Sequence, residues 1–190
     1  MEKNKVDNEE ESKILYKEYL NGNQKAFEKI VLMYKNNLIY FINKYVNNMQ
    51  IAEDISQDVF VYILINKEQY DFKYSLKTYL YMIAKCRAIN YLKKEAKNVK
   101  VQDYDNLYKD ERQLEDFIFA RDKDRKIREV LKNMKQEYQT VIILNVYEGF
   151  KYKEIAKIMQ KNIIDVKSLI HRAKKRLKKL LEKEGIGYDE

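Results

Sequence analysis

The sequence contains no proline and only four glycines, where average usage would supply about nine and about thirteen. Antiparallel sandwiches, barrels and glycine-rich nucleotide folds need turn residues at short intervals, and this chain has few of them. The shortage therefore predicts an all-α fold. At 190 residues the chain is long enough for one or two domains, each with its own core.

Cysteine and histidine are scarce as well, with one of each, Cys86 and His171. A structural zinc site takes about four Cys, His or carboxylate ligands, so the common Cys/His sites are excluded. One cysteine cannot form an internal disulfide. Ser168 lies three residues from His171, but no oxyanion donor or orienting acid accompanies the pair. These absences exclude most classes of enzyme, and we expect no metal or cofactor.

Long apolar runs are also missing. The longest stretch without a charged residue runs from Tyr138 to Tyr147, about half of the roughly 20 residues that a membrane-spanning helix requires. The polar, acidic N-terminus does not have the pattern of a signal peptide. These features predict a cytoplasmic protein with no direct membrane insertion.

The formal net charge of +8 is distributed unevenly. Between Lys132 and Lys183 there are fourteen Lys/Arg and five Asp/Glu, a net of +9, so the rest of the chain is close to neutral. A basic segment of this kind is compatible with a nucleic-acid surface and equally with a solvated helix face.

Three apolar patterns with helical spacing occupy the first third of the chain. The first follows a candidate N-cap at Asn23, and the others run from Leu38 to Val46 and from Ile51 to Ile65. In the third pattern the residues predicted on the buried face are Ala52, Ile55, Val59, Tyr62 and Ile63. Polar and aromatic residues at 66–75 then interrupt the periodicity.

A fourth helix is predicted from Ser75 to about Lys94, and its expected buried residues are Leu76, Leu80, Ile83, Ala84 and Tyr91. Residues 95–116 contain four basic and seven acidic side chains with little apolar periodicity, which predicts a flexible acidic linker. The sequence thus divides into an N-terminal helical domain at 1–94, a linker at 95–116 and a second helical domain at 117–190.

The second domain ends with two predicted helices that match a helix-turn-helix. One runs from Tyr152 to Met159 after Gly149, a candidate C-cap glycine, and the next begins at the candidate N-cap Asn162. Its expected buried residues are Val166, Ile170, Ala173, Leu177 and Leu181, and its opposite face carries Lys167, Ser168, His171, Arg172, Lys174 and Lys175. A cationic, hydrogen-bonding face on the second helix favours binding in a DNA major groove.

Residues 148–181 (EGFKYKEIAKIMQKNIIDVKSLIHRAKKRLKKLL) resemble the C-terminal helix-turn-helix of bacterial extracytoplasmic-function (ECF) sigma factors. Residues 52–64 (AEDISQDVFVYIL) and 76–94 (LKTYLYMIAKCRAINYLKK) are similar to two signature helices of the N-terminal domain of that family. Residues 22–46 fit its first helices. The resemblance covers about residues 14–183 in family order.

The resemblance implies a factor that binds RNA polymerase core and directs initiation at promoters, and that is not itself an enzyme because the polymerase performs nucleotidyl transfer. Its core-binding residues would be Glu53, Asp54, Gln57 and Asp58. Its minus-ten contacts would be Tyr70, Phe72, Lys73, Tyr74, Lys77, Thr78, Lys85, Arg87, Asn90, Lys93 and Lys94. The exposed face of the last helix would read the minus-35 element, so the implied partners are core polymerase and promoter DNA. An anti-sigma factor is a further candidate partner.

Two departures from the family pattern carry structural expectations. Gln160 occupies the turn position where the family usually has glycine, which predicts strain or an altered turn. Leu169 stands where many members carry an arginine on the DNA-facing side. A free-standing helix-turn-helix regulator that binds duplex DNA without polymerase remains the alternative function.

Overall fold

The computed structural model describes residues 3–98 and 129–185. Every regular element in these two ranges is a helix, which confirms the all-α prediction. The chain divides into two compact units, residues 1–110 and 111–190. The predicted linker lies outside the described residues apart from 95–98. These four residues are helical, so the preceding helix extends beyond its predicted end near Lys94.

The described part of the first unit, residues 3–98, contains four α-helices and one short 3-10 helix. They are α1 (Lys3–Leu20), α2 (Gln24–Val46), α3 (Met49–Ile65), the 3-10 helix (Lys67–Gln69) and α4 (Leu76–Asn98). The two apolar patterns on either side of residue 36 form the single helix α2, because neither glycine nor proline separates them. Asn23 is at the N-cap of α2, but its side chain donates to Glu18 Oε2 at 3.0 Å instead of capping.

Helix α1 was not predicted from the polar start of the chain. Its buried residues Ser12, Leu15, Tyr16 and Tyr19 follow the spacing of one helix face. The hydroxyl of Tyr16 donates to the carbonyl of Lys67 at 2.8 Å, and that of Tyr19 donates to the carbonyl of Leu64 at 3.1 Å. These bonds connect α1 to the end of α3 and the segment that follows it.

The core of the first unit is formed mainly by α2, α3 and α4, which pack against one another. Four of the five residues predicted on the inner face of α3 are buried, whereas Tyr62 is half-buried. In α4, the predicted Ile83 and Tyr91 are also only half-buried. Tyr81 and Ala88 are fully buried in their place, and they continue the stripe of Leu76, Leu80 and Ala84.

The second unit is described from a short helical segment at 129–132 onwards. Helix α5 (Gln136–Ile142) runs directly into a π-helix (Ile143–Tyr147), and α6 (Tyr152–Met159) and α7 (Ile163–Lys183) follow. Gly149 lies just beyond the π-helix with a φ of 66°, in agreement with its predicted role as a helix-ending glycine. Helix α7 packs against both α5 and α6. All five of its residues predicted to be internal are buried.

Candidate functional site

The helix-turn-helix consists of α6, a turn at 160–162, and α7. At the C-terminus of α6 the amide of Lys161 donates to the carbonyl of Ala156 at 3.0 Å. Gln160 adopts the left-handed conformation with a φ of 54°, which is the backbone strain expected for a residue other than glycine at this position. The turn therefore keeps its form without the glycine.

The N-terminus of α7 is capped as predicted. The side-chain oxygen of Asn162 accepts from the amide of Asp165 at 2.8 Å, and Asn162 Nδ2 donates to Asp165 Oδ2 at 2.6 Å. At the turn, Lys161 Nζ lies 3.1 Å from Glu137 Oε1 on α5. The first turn of the candidate recognition helix is thus held by its own cap, and it lies beside an ion pair that connects the turn to α5.

The outer face of α7 carries all six residues predicted to contact duplex DNA. Each of them is exposed: Lys167, Ser168, His171, Arg172, Lys174 and Lys175. No acidic residue occurs between Val166 and Leu181, so the positive charge along this face is uninterrupted. The guanidinium Nε of Arg172 donates to the carbonyl of Ser168 at 3.3 Å, which orients that side chain along the helix.

Leu169 does not lie on this outer face. It is only 5% exposed and belongs to the inner face with Val166 and Ile170. The expectation of a DNA-facing residue at position 169 was therefore wrong. An apolar side chain is buried there because positions 166, 169, 170 and 173 together form the stripe that packs on the rest of the second unit.

The acidic face predicted on α3 is present at the surface. Asp54, Gln57 and Asp58 are exposed and Glu53 is half-buried. Asp58 Oδ2 lies 3.6 Å from Arg87 Nη1 on α4. The same face of α3 continues with three exposed apolar residues that sequence reasoning did not single out, namely Val61, Leu64 and Ile65. Each of them lies seven residues, or two helical turns, after Asp54, Gln57 or Asp58 and therefore on the same side of the helix. That spacing is the signal that could have identified them in the sequence.

Tyr70 and Thr78 were predicted to contact DNA, but the structure buries both. Tyr70 is 4% exposed, and its hydroxyl donates to the carbonyl of Tyr74 at 2.6 Å. The Tyr70 ring contacts those of Tyr16 and Tyr79, with centroids 4.9 and 5.2 Å away. Burial raises the pKa of the Tyr70 hydroxyl. We reassign Tyr70 to internal packing.

Thr78 is fully buried on α4, and its hydroxyl lies 2.9 Å from that of Ser75. The Ser75 oxygen also accepts from the amide of Thr78 at 3.2 Å, so the pair stabilises the first turn of α4. Thr78 therefore supports the start of α4 and has no surface that DNA could contact. The prediction for Thr78 is corrected accordingly.

Residues 70–74 form a loop between the 3-10 helix and α4, called the aromatic loop below, and its other candidate residues are partly or fully accessible. Phe72 and Tyr74 are half-buried and Lys73 is exposed. Lys73 Nζ lies 2.6 Å from Asp71 Oδ2, and this hydrogen bond holds the pKa of the Asp71 carboxyl below its usual range. A cleft of about 240 Å³ opens between this loop and α1, and its lining includes Glu9, Glu10 and Lys13. The contribution of α1 to the cleft could not be foreseen because α1 itself was not predicted.

The residues of the predicted polar face of α4 differ in their exposure to solvent. Asn90, Lys93 and Lys94 are exposed, whereas Lys77, Lys85 and Arg87 are half-buried. The Arg87 guanidinium stacks over the Tyr62 ring at 5.4 Å in addition to its pairing with Asp58. Lys77 Nζ lies 5.8 Å from the Tyr81 ring centroid. Lys77 and Arg87 therefore lie against aromatic side chains of the unit, whereas Asn90, Lys93 and Lys94 extend into solvent.

Within residues 3–98 and 129–185 no helix is long and apolar enough to cross a membrane. In the same two ranges no group of three or more His, Cys, Asp or Glu side chains is arranged to hold a metal ion.

A capped helix-turn-helix whose second helix carries a continuous positive face is the structure of a DNA-binding protein. Residues 30–98 match the family described as Sigma-70 region 2, and residues 124–177 match Sigma-70, region 4. The chain belongs to the RNA polymerase sigma factors, in their extracytoplasmic-function group. It is a transcription initiation factor that binds RNA polymerase core and directs initiation at specific promoters.

Two curated relatives and one solved structure illustrate the similarity. The RNA polymerase sigma factor SigV of Bacillus subtilis is 32% identical over 142 residues, covering 75% of this chain and 82% of SigV. The ECF RNA polymerase sigma factor SigW of the same species is 26% identical over 175 residues, covering 87% and 94%. The sigma factor RpoE of Bartonella quintana, solved in complex with the anti-sigma factor NepR, gives a TM-score of 0.63 at 22% identity, covering 83% and 98%.

The matches extend over both units of the chain. A free-standing helix-turn-helix regulator needs no counterpart of region 2, yet the region 2 match covers most of α2 and all of α3 and α4. The alternative function is therefore not favoured.

Proposed function

We propose that the outer face of α7 reads the minus-35 element of the promoter as duplex DNA. The observation that carries this assignment is the exposed, uninterrupted positive face that begins at the capped N-terminus of α7. In helix-turn-helix proteins the N-terminal residues of the second helix contact base edges. Lys167, Ser168 and Arg172 lie nearest that end, so they are the candidates for base contacts. His171, Lys174 and Lys175 are candidates for phosphate contacts.

The acidic face of α3 is the proposed docking surface for RNA polymerase core. Glu53, Asp54, Gln57 and Asp58 lie together on it. Carboxylates at such a surface guide encounter with a basic partner and set its orientation, more than they add affinity. Because Asp58 pairs with Arg87, the docking surface and the polar face of α4 are adjacent on the first unit.

The aromatic loop and α4 are the proposed minus-ten surface. Phe72, Lys73 and Tyr74 border the cleft against α1, and aromatic side chains with a nearby cation suit an unpaired base because every base has a face that can stack. Tyr70 and Thr78 take the role of supports. The proposed backbone contacts along α4 are Lys77, Lys85, Arg87, Asn90, Lys93 and Lys94.

Partners, location and chemistry follow from this function. The proposed division of labour assigns core docking and the minus-ten element to residues 1–94, and the minus-35 element to 117–190, with 95–116 as linker. Transcription occurs where the chromosome is, so the proposed location is the cytoplasm. The polymerase performs nucleotidyl transfer, and the chain itself catalyses no reaction. The complex of a structural neighbour with an anti-sigma factor supports an anti-sigma factor as a further partner.

The test is in vitro transcription with purified core polymerase on a library of promoter fragments. We expect initiation to require the chain and to occur at a subset of fragments that share a minus-35 and a minus-ten element. Arg172→Ala should reduce initiation at that subset. The matched control is Lys29→Ala, which removes an exposed positive charge from α2 and should leave initiation unchanged. A chain that bound these fragments as duplexes but supported no initiation with core would contradict the proposal.

A further inference from the structure

Ile164 occupies an unusual position for a large apolar side chain. It is the second residue of α7 and is 72% exposed, although its neighbours on the inner face of the helix are buried. A β-branched residue favours neither the helical state nor the cap at such a position. Ile164 thus adds little to the stability of the second unit.

The helical spacing places Ile164 on the proposed DNA-reading face. Lys167, Ser168 and His171 follow it at intervals of three, four and seven residues, and all are exposed. Side chains at these intervals lie on one side of a helix. Ile164 is therefore the first member of the stripe, at the end of α7 that enters the groove in a helix-turn-helix.

The backbone that carries Ile164 is fixed before any DNA binds. Asn162 and Asp165, two residues before it and one after, bond to each other through both the backbone amide and the side chains of the cap. The Asp165 carboxylate is thereby held at Asn162 and away from the stripe. A side chain on a rigid turn discriminates between ligands better than one on a mobile loop, because less ordering is needed on binding.

We propose that Ile164 reads a thymine in the minus-35 duplex through the C5 methyl group of that base. The thymine methyl is the apolar group that base pairs display in the major groove, and apolar side chains contact it directly. The lysine and serine that follow in the stripe supply charge and hydrogen bonds, and neither group recognises a methyl. This inference rests on the proposed role of α7 and specifies one base for that role.

The test compares thymine with deoxyuridine, which lacks only the C5 methyl. The probe is a duplex with the minus-35 element that the holoenzyme, formed from the full chain and core polymerase, selects from a random-sequence pool. Each thymine of the element is replaced in turn. At one position we expect binding by the unaltered chain to weaken about threefold to fourfold, the effect of one buried methyl-sized group.

Ile164→Ala should bind the thymine duplex about as weakly as the unaltered chain binds the uracil duplex, and should no longer distinguish the two. Ile164→Val should retain part of the discrimination. Leu32→Ala, which removes an exposed apolar side chain from α2, should leave it unchanged. Since Ile164 is exposed, the variants should fold normally.

Three results would overturn the inference. They are a selected element in which no A·T pair is required, equal binding of thymine and uracil at every position, and discrimination that persists in Ile164→Ala. In each case, binding that still depends on the minus-35 sequence would leave the proposed role of α7 intact. Binding that did not depend on that sequence at all would overturn both.

Discussion

At the scale of single residues, Gln160 shows that a helix-turn-helix turn can form with a residue other than glycine in the left-handed conformation. Its φ of 54° and ψ of 44° lie in the left-handed region, which costs a residue with a Cβ roughly 1–2 kcal/mol relative to glycine. The amides of Gln160 and Lys161 still bond to the last carbonyls of α6. Those bonds and the packing of the two helices hold the residue in place.

We predict that Gln160→Gly raises the free energy of unfolding by about 1 kcal/mol. Glycine removes the strain from the folded state, and the greater conformational entropy of glycine in the unfolded chain offsets part of that gain. Urea unfolding of the full chain followed by circular dichroism measures the change. Lys157→Gly, one turn earlier in α6, is the control and should lower stability by a similar amount. No change, or a loss, in Gln160→Gly would mean that the turn is not strained.

Tyr16 is a second residue whose buried environment predicts a measurable effect on stability and on its dependence on pH. It is fully buried, its hydroxyl donates to the Lys67 carbonyl at 2.8 Å, and burial raises the pKa of that hydroxyl. A raised pKa in the folded state means that stability is complete below the unfolded pKa of about 10 and decreases as the pH rises above it.

Tyr16→Phe should therefore lower the free energy of unfolding by about 1 kcal/mol at neutral pH, through loss of the hydrogen bond. The difference from the unaltered chain should shrink as the pH passes 10, because phenylalanine cannot ionise. Urea unfolding at several pH values from 8 to 11 measures both effects. A difference that stays constant over this range would show that the Tyr16 hydroxyl is not responsible.

At the scale of elements, the aromatic loop divides into supports and accessible residues. We predict that Tyr74→Ala reduces single-strand affinity by roughly 1–3 kcal/mol, the usual contribution of one stacked base, and that Phe72→Ala acts in the same direction. Formation of the open promoter complex should fall more than that of the closed complex, as permanganate footprinting of melted thymines would show.

Tyr70→Ala is the informative comparison for the loop. Removal of a buried aromatic side chain costs about 3–5 kcal/mol of stability, so this variant should unfold more readily, whereas Tyr74→Ala should keep nearly all of its stability. Equal losses of open and closed complex in Phe72→Ala and Tyr74→Ala would contradict a role in promoter opening.

Helix α3 provides the second prediction at this scale. Asp54→Lys places a positive charge on the acidic face, and it should weaken assembly with core polymerase by about 1 kcal/mol, or roughly fivefold. Folding should be unaffected because Asp54 is exposed. Competition for core in a pull-down measures the effect, and Glu28→Lys, at an exposed position of α2, is the charge-matched control. Equal competition by the two variants would exclude the acidic face as the docking surface.

At the scale of the whole molecule, the charge is divided between the units. The region from Lys132 to Lys183 has a net charge of +9 and the remainder of the chain −1. We predict that the salt dependence of promoter binding by the holoenzyme decreases by about one unit of slope for each phosphate contact removed by alanine at Lys174, Lys175, Lys178 or Lys179. These variants should weaken all sequences alike.

Arg172→Ala should behave differently, with a loss of roughly 1–3 kcal/mol at one base position. Binding titrations against minus-35 variants at several salt concentrations separate the two effects, and Lys29→Ala is the control for removing a charge elsewhere. If Arg172→Ala weakened every variant equally, with only a change in salt slope, Arg172 would be a phosphate contact.

The sequence by itself determined the features that depend on local patterns. Helix α6 has the predicted bounds, and the cap at Asn162 and the buried stripe of α7 are as expected. Caps act within one turn and apolar periodicity within one helix, so a short window contains the required information. The family resemblance likewise followed from three ordered motifs, and the matches to regions 2 and 4 confirm it. The roles assigned to individual exposed residues stay predictions.

Only the tertiary structure decided which side chains are accessible. Tyr70 is buried because α1 brings Tyr16 against its ring, and Tyr16 is itself bonded to Lys67, 51 residues away. Thr78 likewise faces inward although Lys77 and Tyr79 on either side are half-buried, and Leu169 faces inward although Ser168 before it is exposed. Burial depends on which distant elements pack together, and that information is spread over the whole chain rather than contained in a local pattern.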